Sequence, residues 1–394
     1  MSHNQVTTGD GVSDRPLWER PGAELKHLAE LRPEELYGAA EQLCRGVSGE
    51  GPGGAPVAGA VRRIAEALAD TCSRECATVA VDIVSRLLPL GATDRGEADR
   101  LLRSVAAKLV KAQQLRDLES LFGELPDGIQ GPAVELRACL LGELALIGAG
   151  AGRRALDAYA ERLGELGHPL ARLPRTRLDI EHRFTGRVRG LGPVKTPNQL
   201  RSRFPEVPST DSGAVAGRRA SDTRDDARAK AAVRPFTAGG WAREPEARFF
   251  TLPSPLSPDD FGMSFLKELP LRCLAGEGRR RGSAVACATT PDDVLDELFS
   301  ASYHGGVNGR GQGAAYARLY AWGSLYALMG LPADVPFLEA VRQAADHRWL
   351  RFMAFTDWFQ HDTSDVAFAV LDPTHTRVAV LAATDTDVDR DGLG

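Results

Sequence analysis

Between Trp349 and Asp391 the chain runs WLRFMAFTDWF, QHDTSD, VAFAVL, DPTHT, RVAVLAATDT and DVDRD. Three apolar, β-rich runs are separated by two short polar connectors, the pattern of strands and turns. Connectors this short join strands only as antiparallel neighbours, because a parallel pair needs a long crossover. The stretch therefore predicts a three-strand meander. Threaded that way, the sheet has two unequal ends. One gathers Asp357, His361, Asp362, Asp365, Asp385 and Asp387, and the other carries Asp372 and His375.

Carboxylates at this density suit a hard cation, Ca²⁺ or Mg²⁺, which takes several oxygen ligands at once. Asp387-Val-Asp389-Arg-Asp391-Gly matches the opening of a calcium-binding loop, D-x-D-x-D-G. The sequence stops at Gly394, short of the loop's bidentate acid, and Asp362 or Asp365 would have to supply that ligand. On this reading the sheet end is a divalent-cation-dependent hydrolase or phosphoryl-handling site. Asp357, Asp362 and Asp385 are its ligands and His361 its acid/base. The competing reading is a solvated acidic edge that keeps the sheet soluble.

Upstream, ARFFTL (247–252) and SAVACA (283–288) read as further strands, and SFLKELPLRCL (264–274) is open between strand and helix. Thr290-Pro-Asp-Asp starts a helix, with a Thr cap, Pro at the first position and acids in the first turn. Helices are expected over 314–329 and 336–347. The loop HGGVNGRGQG places Gly309, Arg310, Gly311 and Gly313 directly before the first of these. A helix N-terminus binds phosphate through free N–H groups, which makes these four residues candidates. No strand precedes the loop, so it is not a dinucleotide or P-loop fingerprint, and a tight connector is the alternative. Tyr316, Tyr320, Trp322 and Tyr326 form a stripe on the following helix, read as core or as a groove for a ligand or partner peptide.

The N-terminal part differs in kind. Residues 1–14 read as a disordered tail, and 15–170 as helices of about 12 to 20 residues joined by short Gly/Pro breaks. These form either stacked hairpins or a bundle, since no repeat period emerges. From Arg201 to Thr251 there is no Leu, Ile or Met. Between Arg172 and Arg234, 15 Lys plus Arg stand against 7 Asp plus Glu. A segment poor in large aliphatics buries too little to offset its chain entropy, so 171–240 is expected to be a basic, largely disordered linker. Its charge suggests a nucleic-acid arm, but its central part, residues 207–232, has no aromatics for base stacking.

The fold class expected is mainly α: an N-terminal helical array or bundle, then an α+β domain at 241–394 with a small antiparallel sheet. The formal net charge of −5 gives no pull toward nucleic acid or an anionic membrane. Neither a signal peptide nor a spanning segment is read, so a cytoplasmic protein is expected. The six cysteines are scattered and read as reduced, buried thiols.

The order PDDVLDELFSASYHGG, a Gly-rich loop, AYARLYAWGSLYALMG, WLRFMAFTDWF and the closing VAVLAATDTD resembles an uncharacterised family of bacterial proteins, common in high-GC actinobacteria, that carries a domain-of-unknown-function label. The likeness covers roughly residues 240–390. It implies a shared C-terminal fold and brings no activity. With no catalytic or cofactor motif recognised, the leading expectation is a non-enzymatic interaction, regulatory or immunity-type protein. Its expected partner is another protein rather than nucleic acid or a membrane, and its oligomeric state is left open.

Overall fold

Ser73 and Thr290 show how local chemistry sets the helix starts. Each turns its hydroxyl onto the backbone N–H three residues on, Cys76 and Asp293, satisfying a donor the helix itself leaves free. The computed structural model describes residues 17–46, 54–87, 95–122, 131–184, 194–208, 220–275, 284–307, 309, 311–361 and 363–387. The tail expected at 1–14 lies outside them, as do Arg310, Asp362, Asp389 and Asp391. The chain divides into two compact units, residues 1–137 and 138–394.

In the first unit the helices are α1 (Gly22–Leu31), α2 (Pro33–Gly46), α3 (Gly54–Ala69), α4 (Arg74–Asp82), α5 (Arg95–Ala112) and α6 (Leu115–Glu119). α3 packs against α1, α2, α4 and α5, and its Ile64, Ala65 and Leu68 are fully buried. These partners are the helices one and two places before and after it in the chain, so α3 is the central helix of this all-helical unit. The turn after α3 is tied by Gln113, whose Nε2 donates to Thr71 O (2.5 Å) and whose Oε1 accepts from Ser73 N (3.0 Å).

α7 (Pro132–Leu146) enters the second unit from residue 138 on. Then follow α8 (Arg154–Glu165), α9 (Pro197–Arg203), β1 (Ser221–Asp222), α10 (Asp226–Gly239), β2 (Glu246–Thr251), α11 (Met263–Lys267), β3 (Ala284–Ala288), α12 (Pro291–His304), α13 (Gly313–Met329), α14 (Phe337–Asp346), β4 (Arg348–Ala354), β5 (Ser364–Leu371) and β6 (Arg377–Asp385). The stretch open between strand and helix becomes α11 and a short 3₁₀ turn at Arg272–Leu274. Among the described residues no helix is long and apolar enough to cross a membrane.

The expected meander β4-β5-β6 is present, at the centre of an antiparallel sheet of order β1-β2-β6-β5-β4-β3. Both faces are covered, which is why its strands read as continuous apolar runs. Leu350, Phe352, Ala367, Ala369, Val378 and Val380 pack with Leu252, Phe261, Phe265 and Leu266 from the segment before β3. On the opposite face Val285, Cys287 and Met353 meet Val194 and Leu200 of the α9 region, while α10 and α13 lie over β2 and β6. Five of the six cysteines are buried; Cys72 is exposed.

The stretch 171–240 departs from expectation. Its described residues are built into the second unit rather than forming a disordered linker. α10 packs against both α12 and α13 through Ala232, Pro235, Phe236 and Gly239. Small residues do here what aliphatics do elsewhere: they bring backbones together. A Cβ on Gly239 would fall 2.5 Å from Ala301 O. A count of Leu, Ile and Met misses packing of this kind.

A buried ion pair holds the start of the same stretch. Arg318 of α13 and Glu181 have no exposed side-chain surface. The guanidinium meets both carboxylate oxygens (2.6 and 2.7 Å) and donates to Pro174 O (2.6 Å) and Thr176 O (2.9 Å). Glu181 also accepts from Trp322 Nε1 (2.6 Å) and Leu178 N (2.8 Å). Removing one member strands the other charge in an apolar site, a loss of about 3–5 kcal/mol. Arg318→Leu is expected to lower unfolding stability by that order, and Arg318→Leu with Glu181→Leu by clearly less than the two single losses added. Urea denaturation of the full chain measures both; additive losses would contradict the pairing.

Candidate functional site

The acidic end of the sheet is built by pairing, and pairing separates its acids. Asp365 lies opposite Thr384 and Ser364 opposite Asp385. Neighbours along a strand point to opposite faces, so Asp365 and Asp385 are on different sides of the sheet. Asp365 accepts from Thr384 Oγ1 (2.5 Å) and His361 N (2.9 Å). Burial pushes its carboxyl above the usual aspartate range, against the pull of those two hydrogen bonds. Asp385 accepts from Ala242 N (3.0 Å) and Val307 N (2.6 Å), tying two loops to the end of β6. His361 takes a left-handed turn conformation (φ 58°), and its Nδ1 lies 2.7 Å from Lys195 O.

Asp357 and Asp387 are exposed. Asp362, Asp389 and Asp391 belong to the residues not described. Among the described residues no three His, Cys, Asp or Glu side chains are arranged to hold a metal ion. Of the set proposed from the sequence, Asp357, Asp362 and Asp385 with His361 as acid/base, the described members Asp357, Asp385 and His361 do not form a metal group, and Asp362 lies outside the described residues. The buried acids of this region are staples for backbone N–H groups.

The glycine loop has an internal explanation too. A Cβ on Gly311 would sit 1.9 Å from Tyr303 O, and one on Gly309 2.0 Å from Gly239 O. These glycines let the loop lie against backbone. The helix N-terminus they lead to is already occupied: Glu143 of α7 accepts from Ala314 N (2.7 Å) at the first turn of α13. The favourable spot for an external phosphate beyond Gly313 holds a carboxyl from the same chain. Gly142 allows that approach, since a Cβ there would lie 2.5 Å from Ala315 Cβ.

Burial pushes Glu143 up to about 7, with the N–H groups of Ala314 and Ala315 pulling the other way. The folded protein therefore holds a proton that an unfolded glutamate releases near 4.5. The sign follows: stability linked to this group is complete below about 4.5, is lost as pH rises toward 7, and is flat above. Glu143→Gln is expected to flatten the pH dependence of unfolding free energy between pH 5 and 7 relative to wild type. Denaturation series across that range decide it, and parallel curves for the two proteins would refute the assignment.

A feature with ligand-pocket dimensions lies elsewhere, at the C-terminal half of α13. It is a cavity of about 470 Å³, within the range of small-molecule sites. Leu319, Trp322, Gly323 and Tyr326 of α13 form one wall, with Phe337 of α14, Arg228 of α10 and Arg172 around them. Trp322, Tyr326 and Phe337 pack edge to face, with centroids 5.0 to 6.0 Å apart. Tyr326 donates its hydroxyl to Val335 O (2.8 Å), so its ring is anchored. Gly323 is exposed, and a Cβ built on it meets nothing within 4 Å. Arg228 donates to Ala327 O (2.6 Å) and Leu328 O (3.3 Å) and stacks on Phe249 (3.8 Å). Burial pulls its pKa below the ordinary arginine value.

The aromatic stripe noted in the sequence was split by the fold. Trp322 and Tyr326 line the cavity, while Tyr316 and Tyr320 pair with each other on the same helix. Gly323 was the overlooked signal. A glycine inside a helix otherwise made of good formers costs about 1 kcal/mol against alanine, and a cavity above it gives that cost a reason. Arg172, Arg228 and Phe337 carried no local signal, because nothing in the sequence brings their three segments together.

A family model matches residues 23–387. The chain belongs to the family of unknown function DUF6183. The match extends well beyond the C-terminal likeness seen at 240–390 and takes in most of the N-terminal helical unit. No curated protein and no solved structure matches the chain.

Proposed function

We propose that this member of the family is a non-enzymatic, cytoplasmic binding protein of regulatory type, and that the cavity beside Gly323 takes its ligand. The observation that carries the reading is open space over a mid-helix glycine, walled by three anchored aromatic rings and bordered by two arginines. It combines an apolar interior with a few convergent polar groups, as binding sites do. Two of the acids that suggested a cation site, Asp365 and Asp385, are engaged with backbone N–H groups of the chain itself.

The nucleic-acid reading of 171–240 finds little support in the described arginines. Arg175 pairs with Asp157, Arg183 with Asp293 and Arg201 with Glu206, and Arg172 donates to Ala333 O. Paired guanidinium groups release few counterions on meeting a phosphate backbone.

Filling the cavity tests the proposal. Gly323→Leu is expected to fold with equal or higher melting temperature, because it replaces glycine by a better helix former. Small apolar fragments screened by ligand-observed NMR should bind the wild-type chain and lose binding to Gly323→Leu at least tenfold. No fragment binding to wild type, or binding undiminished in the variant, would end the reading.

A further inference from the structure

Resting on that reading, we propose that the cavity selects an aromatic monocarboxylate: a flat ring body with one negative charge. Three features of the site specify this chemistry. The first is shape. Gly323 and Trp322 both line the cavity, and the absence of a side chain at Gly323 leaves open backbone on which a planar ring can lie. Half-buried Phe337 presents ring surface to the cavity, backed edge to face by the buried Trp322 and Tyr326. Rings so anchored lose little freedom on binding, and a further ring joins them with the same offset or edge geometry.

The second is the donors. Arg172 and Arg228 come from separate segments and border the same cavity. Arg172 gives one Nη to Ala333 O, and Arg228 gives Nε and one Nη to the last carbonyls of α13. Each guanidinium has five N–H donors in a planar fork, so both keep donors beyond those contacts. A group pre-positioned by two hydrogen bonds and stacked on Phe249, as Arg228 is, pays little entropy to make another. Carboxylate and phosphate oxygens both match that fork, so the donors call for an oxyanion and the charge balance chooses between the two.

The third is charge. Asp225 also borders the cavity and is the N-cap of α10, accepting from Arg228 N (2.9 Å). Two guanidinium groups and one carboxylate leave a single net positive charge among the cavity's ionised groups. That balance suits a monoanion. A dianion such as a phosphate monoester would leave one negative charge uncompensated beside Asp225, in a partly desolvated site.

Isothermal titration of the full chain at constant ionic strength, with 2-naphthoate, 2-naphthylmethanol and decanoate as probes, tests the assignment. 2-Naphthoate is expected to bind at least tenfold more tightly than either of the others. Arg172→Gln, at an exposed residue, is expected to keep the wild-type melting temperature, weaken 2-naphthoate about tenfold and leave 2-naphthylmethanol unchanged. Equal affinity for the acid and the alcohol, or no effect of Arg172→Gln on the acid, overturns the anion assignment. Tighter binding of decanoate overturns the aromatic one. In each of those cases, loss of binding in Gly323→Leu shows that the cavity reading itself still stands. Absence of 2-naphthoate binding up to millimolar concentration refutes the proposed class. Binding of any probe that persists undiminished in Gly323→Leu refutes the site.

Discussion

The second unit depends on a buried charge that is fully answered. Arg318 sits in the middle of α13, a helix buried along nearly its whole length, where an unpaired guanidinium would be too costly to keep. Glu181 and the carbonyls of Pro174 and Thr176 meet it from one short irregular segment. The pair is weak evidence for net stability, since two apolar residues would pack without desolvating an ion. Its effect is positional. A bidentate contact with two further carbonyls admits one arrangement, so residues 174–181 have one place to lie against α13. The same carboxylate holds the indole N–H of Trp322, which sets the wall of the cavity one turn further on.

Carboxylates recur in this unit as internal acceptors. Glu143 closes the start of α13, Asp385 joins the ends of two loops, Asp365 closes the turn before β5, and Glu246 accepts from Arg272 N and Cys273 N (both 2.9 Å). Irregular backbone packed against a sheet must find partners for its N–H groups, and a buried acid supplies two oxygens at once. An acid-rich segment that looks like a site in one dimension is, in three, a set of separate answers to that requirement. The cavity is different in kind because its space is not filled by the chain.

The meander, the flanking strands and the helices from Pro291 onward were legible because local rules agree there. Thr290-Pro-Asp-Asp caps, short connectors force antiparallel return, and apolar runs bounded by Asp and Thr turns read as strands. The segment 171–240 was misread because its packing relies on Ala232, Phe236 and Gly239 and on Glu181, whose partner is 137 positions away in sequence. No composition window contains both ends of that contact. The aromatic stripe was half legible: periodicity put Trp322 and Tyr326 on one face, but whether that face met core or open space depended on Phe337, Arg172 and Arg228.

By itself, then, the sequence determined the helical character of the N-terminal part, the class of the elements from Pro291 onward, the pairing of the last three strands and the ends where acids accumulate, because these follow from neighbours within a few residues. Tertiary structure decided what those acids do. A residue pair adjacent in β5 and β6 register is thrown to opposite faces by the pleat, which turned an apparent ligand cluster into two separate staples. It also decided that α13 ends against a cavity. Empty space is made by what three distant segments fail to fill, and no single stretch of chain encodes that.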